Sequence, residues 1–146
     1  MNPDEFLGLA SRLFAIGGEA EYRTAVSRAY YGVFHAARLL VEACGVRCPA
    51  SGESHSKVAK CLQNCGHMNA EFAGRELDSL RSARNNADYR LANRHFGNAN
   101  HVQLILHRAQ RILTALIDVR VDLNSLRGPM RTYASDILKL RVDIEQ

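Results

Sequence analysis

Arg84, Asp88 and Tyr89 place a cation, a carboxylate and a phenol within the hexad Arg84-Asn85-Asn86-Ala87-Asp88-Tyr89. A second polar set, Arg28, Tyr31, His35 and Arg38, recurs at i, i+3, i+7 and i+10 and so shares one face of a helix. These residue types suit phosphate chemistry. A His titrates near neutrality and can carry a proton, while a guanidinium stabilises the charge that builds on phosphorus. Asp88 is too weak a base, and Tyr89 too weak an acid, to do the work of a His without a large pKa shift. Two arrangements of the stripe remain open: a polar edge with His35 bonded to a neighbouring helix, or one wall of a cleft facing Arg84 and Asp88. In the second, Arg28 pairs with Asp88.

Charge points the same way. The chain has 146 residues and a formal net charge of +4, carried by sixteen Arg and three Lys. Arg offers a planar fork suited to phosphate, although a GC-rich genome would raise Arg content without any such role. Position sharpens the case: between residues 81 and 114, Arg81, Arg84, Arg90, Arg94, Arg108 and Arg111 face the single acid Asp88, with His95, His101 and His107 among them. Such a segment favours nucleic acid or nucleotide phosphate.

The elements that must position these residues are helical throughout. At 146 residues and 47% hydrophobic composition the chain fits one domain with a usable core. Asn2 reads as an N-cap, with Pro3, Asp4 and Glu5 in the first turn, and Gly17-Gly18 ends that helix. Further helices are expected over 19–44, 54–65, 69–89 and 100–126, the last two separated by a flexible basic loop over 93–100. Gly128-Pro129 should break the chain before a final amphipathic helix carrying Met130, Tyr133, Ile137, Leu140 and Ile144. The expected architecture is an all-α antiparallel bundle of about five helices over 1–127, with a C-terminal helix over 128–146 that packs back or pairs with another chain. No apolar run reaches the roughly 20 residues of a membrane span, and the N-terminus opens with acids where a signal peptide carries basic residues. A cytoplasmic location without membrane partners is expected.

In order and spacing, four local features resemble the HEPN domain family. They are Ser27-Arg28-Ala29-Tyr30-Tyr31 with Phe34-His35-Ala36-Ala37, His55-Ser56, Leu80 with Arg84, and Asp88-Tyr89. The resemblance covers about residues 3 to 125. It implies a helical bundle, commonly a homodimer, often encoded beside a minimal nucleotidyltransferase as a toxin and antitoxin pair. Many members are metal-independent ribonucleases in which an Arg-x(4–6)-His motif supplies a phosphate clamp and a proton carrier. Here Arg84 stands at the matching place without its His, so the motif is degenerate. Literal matches elsewhere, Arg28 with His35, Arg90 with His95 and Arg94 with His101, barely exceed the roughly two that chance supplies. Arg90 and His95 are the most interesting, since they follow Asp88-Tyr89 directly. By the same resemblance, an exposed Tyr89 would be an acceptor for nucleotidyl transfer from the partner; otherwise it is an interface residue.

Cys44-x3-Cys48 and Cys61-x3-Cys65 have a spacing seen in zinc sites, with His55 and His67 near. Cys is equally a small buried hydrophobe, and packing is the expected role, with no metal and no cofactor. Together these features predict a nucleic-acid or nucleotide-binding module with a degenerate site, where Arg84, Asp88, Tyr89, His95 and His35 are the catalytic candidates. Arg28, Arg81, Arg90, Arg94, Arg108 and Arg111 are the candidates for phosphate contact. The alternatives are a metal-independent ribonuclease toxin and a helical interaction protein that uses residues 130–144.

Overall fold

A computed structural model describes residues 1–143. Among these residues six α-helices follow one another: α1 (Asp4–Ile16), α2 (Glu19–Ala43), α3 (Ser54–Gln63), α4 (Met68–Tyr89), α5 (Ala99–Val121) and α6 (Leu123–Asp136). The expected all-α bundle is present, and no strand forms among the described residues. Only an isolated antiparallel bridge joins Val46 to Val142.

The first helix begins as its sequence dictates. Asp4 N donates to Asn2 Oδ1 at 3.0 Å while Asn2 N donates to Glu5 Oε2 at 3.0 Å, a reciprocal cap that satisfies two of the free amides at a helix start. Gly17 and Gly18, both at positive φ, then turn the chain into α2. This central helix buries Val26, Ala29, Tyr30, Val33, Ala37, Leu40 and Val41, and packs against α1, α3, α4 and α5. Gly32 lets α1 cross it closely, since a Cβ there would lie 3.0 Å from the Pro3 carbonyl oxygen and 3.1 Å from Phe6 Cβ. That crossing sets Phe6 against the polar stripe of α2.

Arg23, only 8% exposed, ties α2 to the end of α4. Its Nη1 donates to the carbonyl of Ala87 at 2.8 Å and to those of Asn86 and Arg90 at 3.3 Å. Its Nη2 donates to the carbonyls of Leu91 at 3.2 Å and Asn93 at 2.8 Å, while Glu19 pairs with the same guanidinium at 3.0 Å. One side chain thus satisfies the last carbonyls of α4 and fixes the loop that follows. That loop was expected to be flexible. Instead it contains a 3-10 turn over Arg94–Gly97 whose Phe96 is buried, with the Arg23 guanidinium 5.0 Å from its ring centroid.

The C-terminal part departs from expectation. Helix α5 ends at Val121, not near 126, and α6 continues through Gly128-Pro129. The break falls at Asp122 because its carboxylate accepts from His67 Nε2 at 2.9 Å, and its carbonyl accepts the Ser125 hydroxyl at 2.8 Å. Pro129 is tolerated on the exposed side of α6. That helix stops at Asp136, so Ile137 and Leu140 lie beyond it rather than in a continued stripe; Ile144 lies outside the described residues. Met130 is fully buried, so the start of the expected contact face turns inward, while Ile137 stays exposed. Arg127 and Arg131 donate to the carbonyls of Ala43 and Cys44 at 3.3 and 2.9 Å, where cations suit the end of α2.

Among the described residues no helix is long and apolar enough to cross a membrane. Arg23→Ala should lower the free energy of unfolding by about 3 kcal/mol, because several carbonyls lose their donor together. Chemical denaturation checks the loss, and hydrogen exchange should show it first over residues 86–97.

Candidate functional site

Residues 77, 81, 84 and 88 share the face of α4 turned toward α2, which brings Arg84 over the two adjacent tyrosines. Arg84 is 7% exposed, with its guanidinium carbon 5.1 Å from the Tyr30 ring centroid and 5.4 Å from that of Tyr31. Its nearest carboxylate, Asp88, is 4.0 Å away, and its Nε is buried without a hydrogen-bond partner. Among the described residues Arg81 makes no ion pair or hydrogen bond, and its Nε is likewise buried and unpartnered. Burying guanidinium charge without full compensation is costly. The pair therefore favours an incoming anion.

His55, at the start of α3, meets this cluster from a third helix. Its Nδ1 lies 2.6 Å from the Tyr30 hydroxyl, and its ring stacks on Phe34 at 4.2 Å. Tyr30 is fully buried and has no other hydroxyl partner among the described residues, so its O–H must donate to Nδ1 or go unsatisfied. This places the His55 proton on Nε2. Burial pushes Tyr30 up to about 12, which keeps the phenol a donor. Burial, followed by the nearby cations Arg81 and Arg84, holds His55 below the ordinary imidazole range. His55 is thus a neutral N–H donor at neutral pH.

The α2 stripe adopts parts of both expected arrangements. His35 does not bond to a neighbouring helix; it stacks on Phe6 at 5.6 Å, and burial and Arg38 depress its pKa. Arg28 lies over Tyr31 at 5.1 Å and Phe6 at 5.7 Å. It does not pair with Asp88. Ser27 takes that place, its Oγ donating to Asp88 Oδ2 at 3.2 Å while Arg28 Nη2 donates to Ser27 Oγ at 3.4 Å. Asp88 therefore orders the seam from a partly exposed position.

The remaining candidates lie apart. Tyr89 is 73% exposed at the end of α4. His95 is exposed in the 3-10 turn, where its ring lies 5.2 Å from His101, and Arg90 and Arg94 are exposed around the same turn. Arg108 pairs with Glu76 at 3.7 Å, and Arg111 covers Phe72 at 5.5 Å, both on a different face of α4. Phe72 is seventeen residues before Tyr89, roughly 25 Å along the helix axis. The basic segment thus splits into separate patches. A concavity of about 510 Å³ between α4 and α5 belongs to the Arg111 side and brings together none of the His–Arg cluster.

Arg23, Tyr30 and His55 are not among the site candidates that the sequence marks. His55-Ser56 carried part of the resemblance, but only the fold shows that His55 lies against Tyr30. All four cysteines are free thiols, with Cys44, Cys61 and Cys65 buried. Burial pushes Cys44 and Cys48 up to about 11 and Cys61 up to about 12, and it raises Cys65. Among the described residues no group of three or more His, Cys, Asp or Glu is arranged to hold a metal ion.

Comparison with family models, curated proteins and solved structures gives no match to this chain.

Two measurements test the geometry. Asp88→Ala should cost about 1 kcal/mol rather than the larger loss of a buried pair, because its carboxylate is 29% exposed and its hydroxyl bond is modest; urea melts check this. Both His35 and His55 have depressed folded pKa values, so the unfolded chain takes up protons first as pH falls through roughly 6.5. Their contribution is present above that range and lost below it. His55→Gln should flatten the fall in stability between about pH 7 and 5.

Proposed function

We propose that the chain is a HEPN-like module that binds nucleic acid or nucleotide through phosphate, with a degenerate catalytic motif. The observation that carries this reading is the under-compensated pair at the α2–α4 seam, a buried Arg84 and a half-buried Arg81 whose Nε atoms both lack a partner, beside the N–H donor of His55. Together they supply the donors and positive charge a phosphate needs. Arg28 and Arg38 extend the positive field along α2, and Arg90 and Arg94 continue it around the end of α4.

Binding is favoured over cleavage by the state of the imidazoles. Proton transfer to and from a ribose phosphate needs one group poised to accept and another poised to donate. His35 and His55 are both held neutral, and Nδ1 of His55 is already occupied by Tyr30. A ribonuclease reading gains support only from their proximity to Arg84 and requires one of them to be protonated. The reading as an interaction protein without nucleic-acid affinity keeps Ile137 as an exposed contact, but Met130 at the start of its stripe is buried.

The setting follows the resemblance. The module acts in the cytoplasm as a homodimer within a toxin and antitoxin or defence-type system, with a minimal nucleotidyltransferase as partner. The exposure of Tyr89 suits modification by such a partner.

The test is fluorescence anisotropy with a labelled single-stranded RNA across a salt series. Wild-type affinity should fall steeply with salt through counterion release. Arg81→Gln should weaken binding about tenfold, as expected for loss of one charge-assisted phosphate contact. Arg84→Lys should also weaken it, since an ammonium cannot reproduce the planar fork. Salt-insensitive binding, or binding unchanged by both substitutions, would refute the reading. At pH 7.5 the RNA should stay intact with or without EDTA; EDTA-resistant cleavage giving 2′,3′-cyclic phosphate ends, lost in Arg84→Lys, would move the assignment to a ribonuclease.

A further inference from the structure

A second cavity opens beside the cluster, between the start of α1 and the C-terminal part of α2. It measures about 390 Å³ and is lined by Pro3, Phe6, His35, Arg38, Leu39 and Glu42. This volume lies within the roughly 300–1,000 Å³ of small-molecule sites. The stacked rings of Phe6 and His35 form an aromatic wall, and Leu39, 46% exposed, adds apolar surface. The rim is polar and fixed. Arg38 Nε donates to Glu42 Oε1 at 2.9 Å, while Arg38 Nη2 reaches the Cys48 carbonyl at 3.4 Å. Glu42 Oε2 accepts no hydrogen bond from the described residues.

We propose that this cavity is a nucleobase subsite that selects guanine, with the phosphate of the same nucleotide held at Arg81, Arg84 and His55. The inference rests on the phosphate-binding reading above. Unstacked bases are commonly held on aromatic side chains and read along their Watson–Crick edges. Guanine alone among the standard bases presents two adjacent donors there, N1–H and the N2 amino group, which a carboxylate can accept together. Its O6 and N7 acceptors suit a guanidinium. Arg38 and Glu42 offer those complementary groups side by side. The geometry also joins the subsites: Phe34 contacts His35 at 5.4 Å and His55 at 4.2 Å, so the base wall and the phosphate donors are separated by one ring.

The test is calorimetric titration of the full chain with GMP, AMP, CMP, UMP and inorganic phosphate at low salt. GMP should bind about tenfold more tightly than the other nucleotides, the gain expected from a charge-assisted contact. Glu42→Gln should bring GMP to their level while leaving phosphate affinity unchanged, which also reports an intact fold. Equal binding of all four nucleotides beside measurable phosphate binding would overturn the base subsite alone. A guanine preference that survives Glu42→Gln would overturn the role given to Glu42 and with it the proposal. If neither phosphate nor any nucleotide binds, the phosphate reading falls and the subsite falls with it.

Discussion

Buried guanidinium charge governs the seam between α2 and α4. The two fully packed Arg residues there, Arg23 and Arg84, meet that demand differently. Arg23 is surrounded by backbone carbonyls and Glu19, so its donors are used within the fold. Arg84 has tyrosine faces and a carboxylate 4.0 Å away, compensation that neutralises its charge less completely. The first guanidinium stabilises the architecture; the second leaves electrostatic demand at the surface. Because both lie on one seam, the anchoring by Arg23 also maintains the register that presents Arg84 to Tyr30 and Tyr31.

Tyr30 connects core packing to site chemistry. Its ring belongs to the hydrophobic core, its face receives Arg84, and its hydroxyl determines where the His55 proton resides. A single buried side chain thereby couples α2, α3 and α4. This coupling favours a rigid donor set over a proton relay, since moving the His55 proton would disturb a hydrogen bond made in the interior.

Much of the scaffold was legible from periodicity and end signals. The Asn2 cap, the Gly17-Gly18 turn and the extents of α2 and α4 are local consequences of residue type, and the structure reproduces them closely. The junction at Asp122 was not, because it depends on His67, a residue far away in the chain. Gly128-Pro129 carried a strong local signal, yet the exposed side of α6 accommodates it. At the site, Arg84 and the α2 stripe were visible as a pattern. Arg23 escaped notice because its partners are mainly carbonyls, which every residue possesses, and the role of His55 required knowledge of which helix packs beside Tyr30. Within the Arg-rich segment, composition indicated total charge but not its division between faces, which follows from the pairing of Arg108 with Glu76 and the packing of Arg111 on Phe72.

The carbonyl clamp of Arg23 has a consequence for how this surface can diversify. Backbone oxygens are present whatever the side chain, so exchanges at Leu91, Ala92, Arg94 or His95 leave the clamp's chemistry unchanged while Phe96 remains buried. The loop can acquire a different charge or shape without losing its position. Tolerance is therefore concentrated in the side chains that face solvent, and intolerance in an arginine more than sixty residues earlier, so a mutational map would place the loop's least replaceable residue outside the loop.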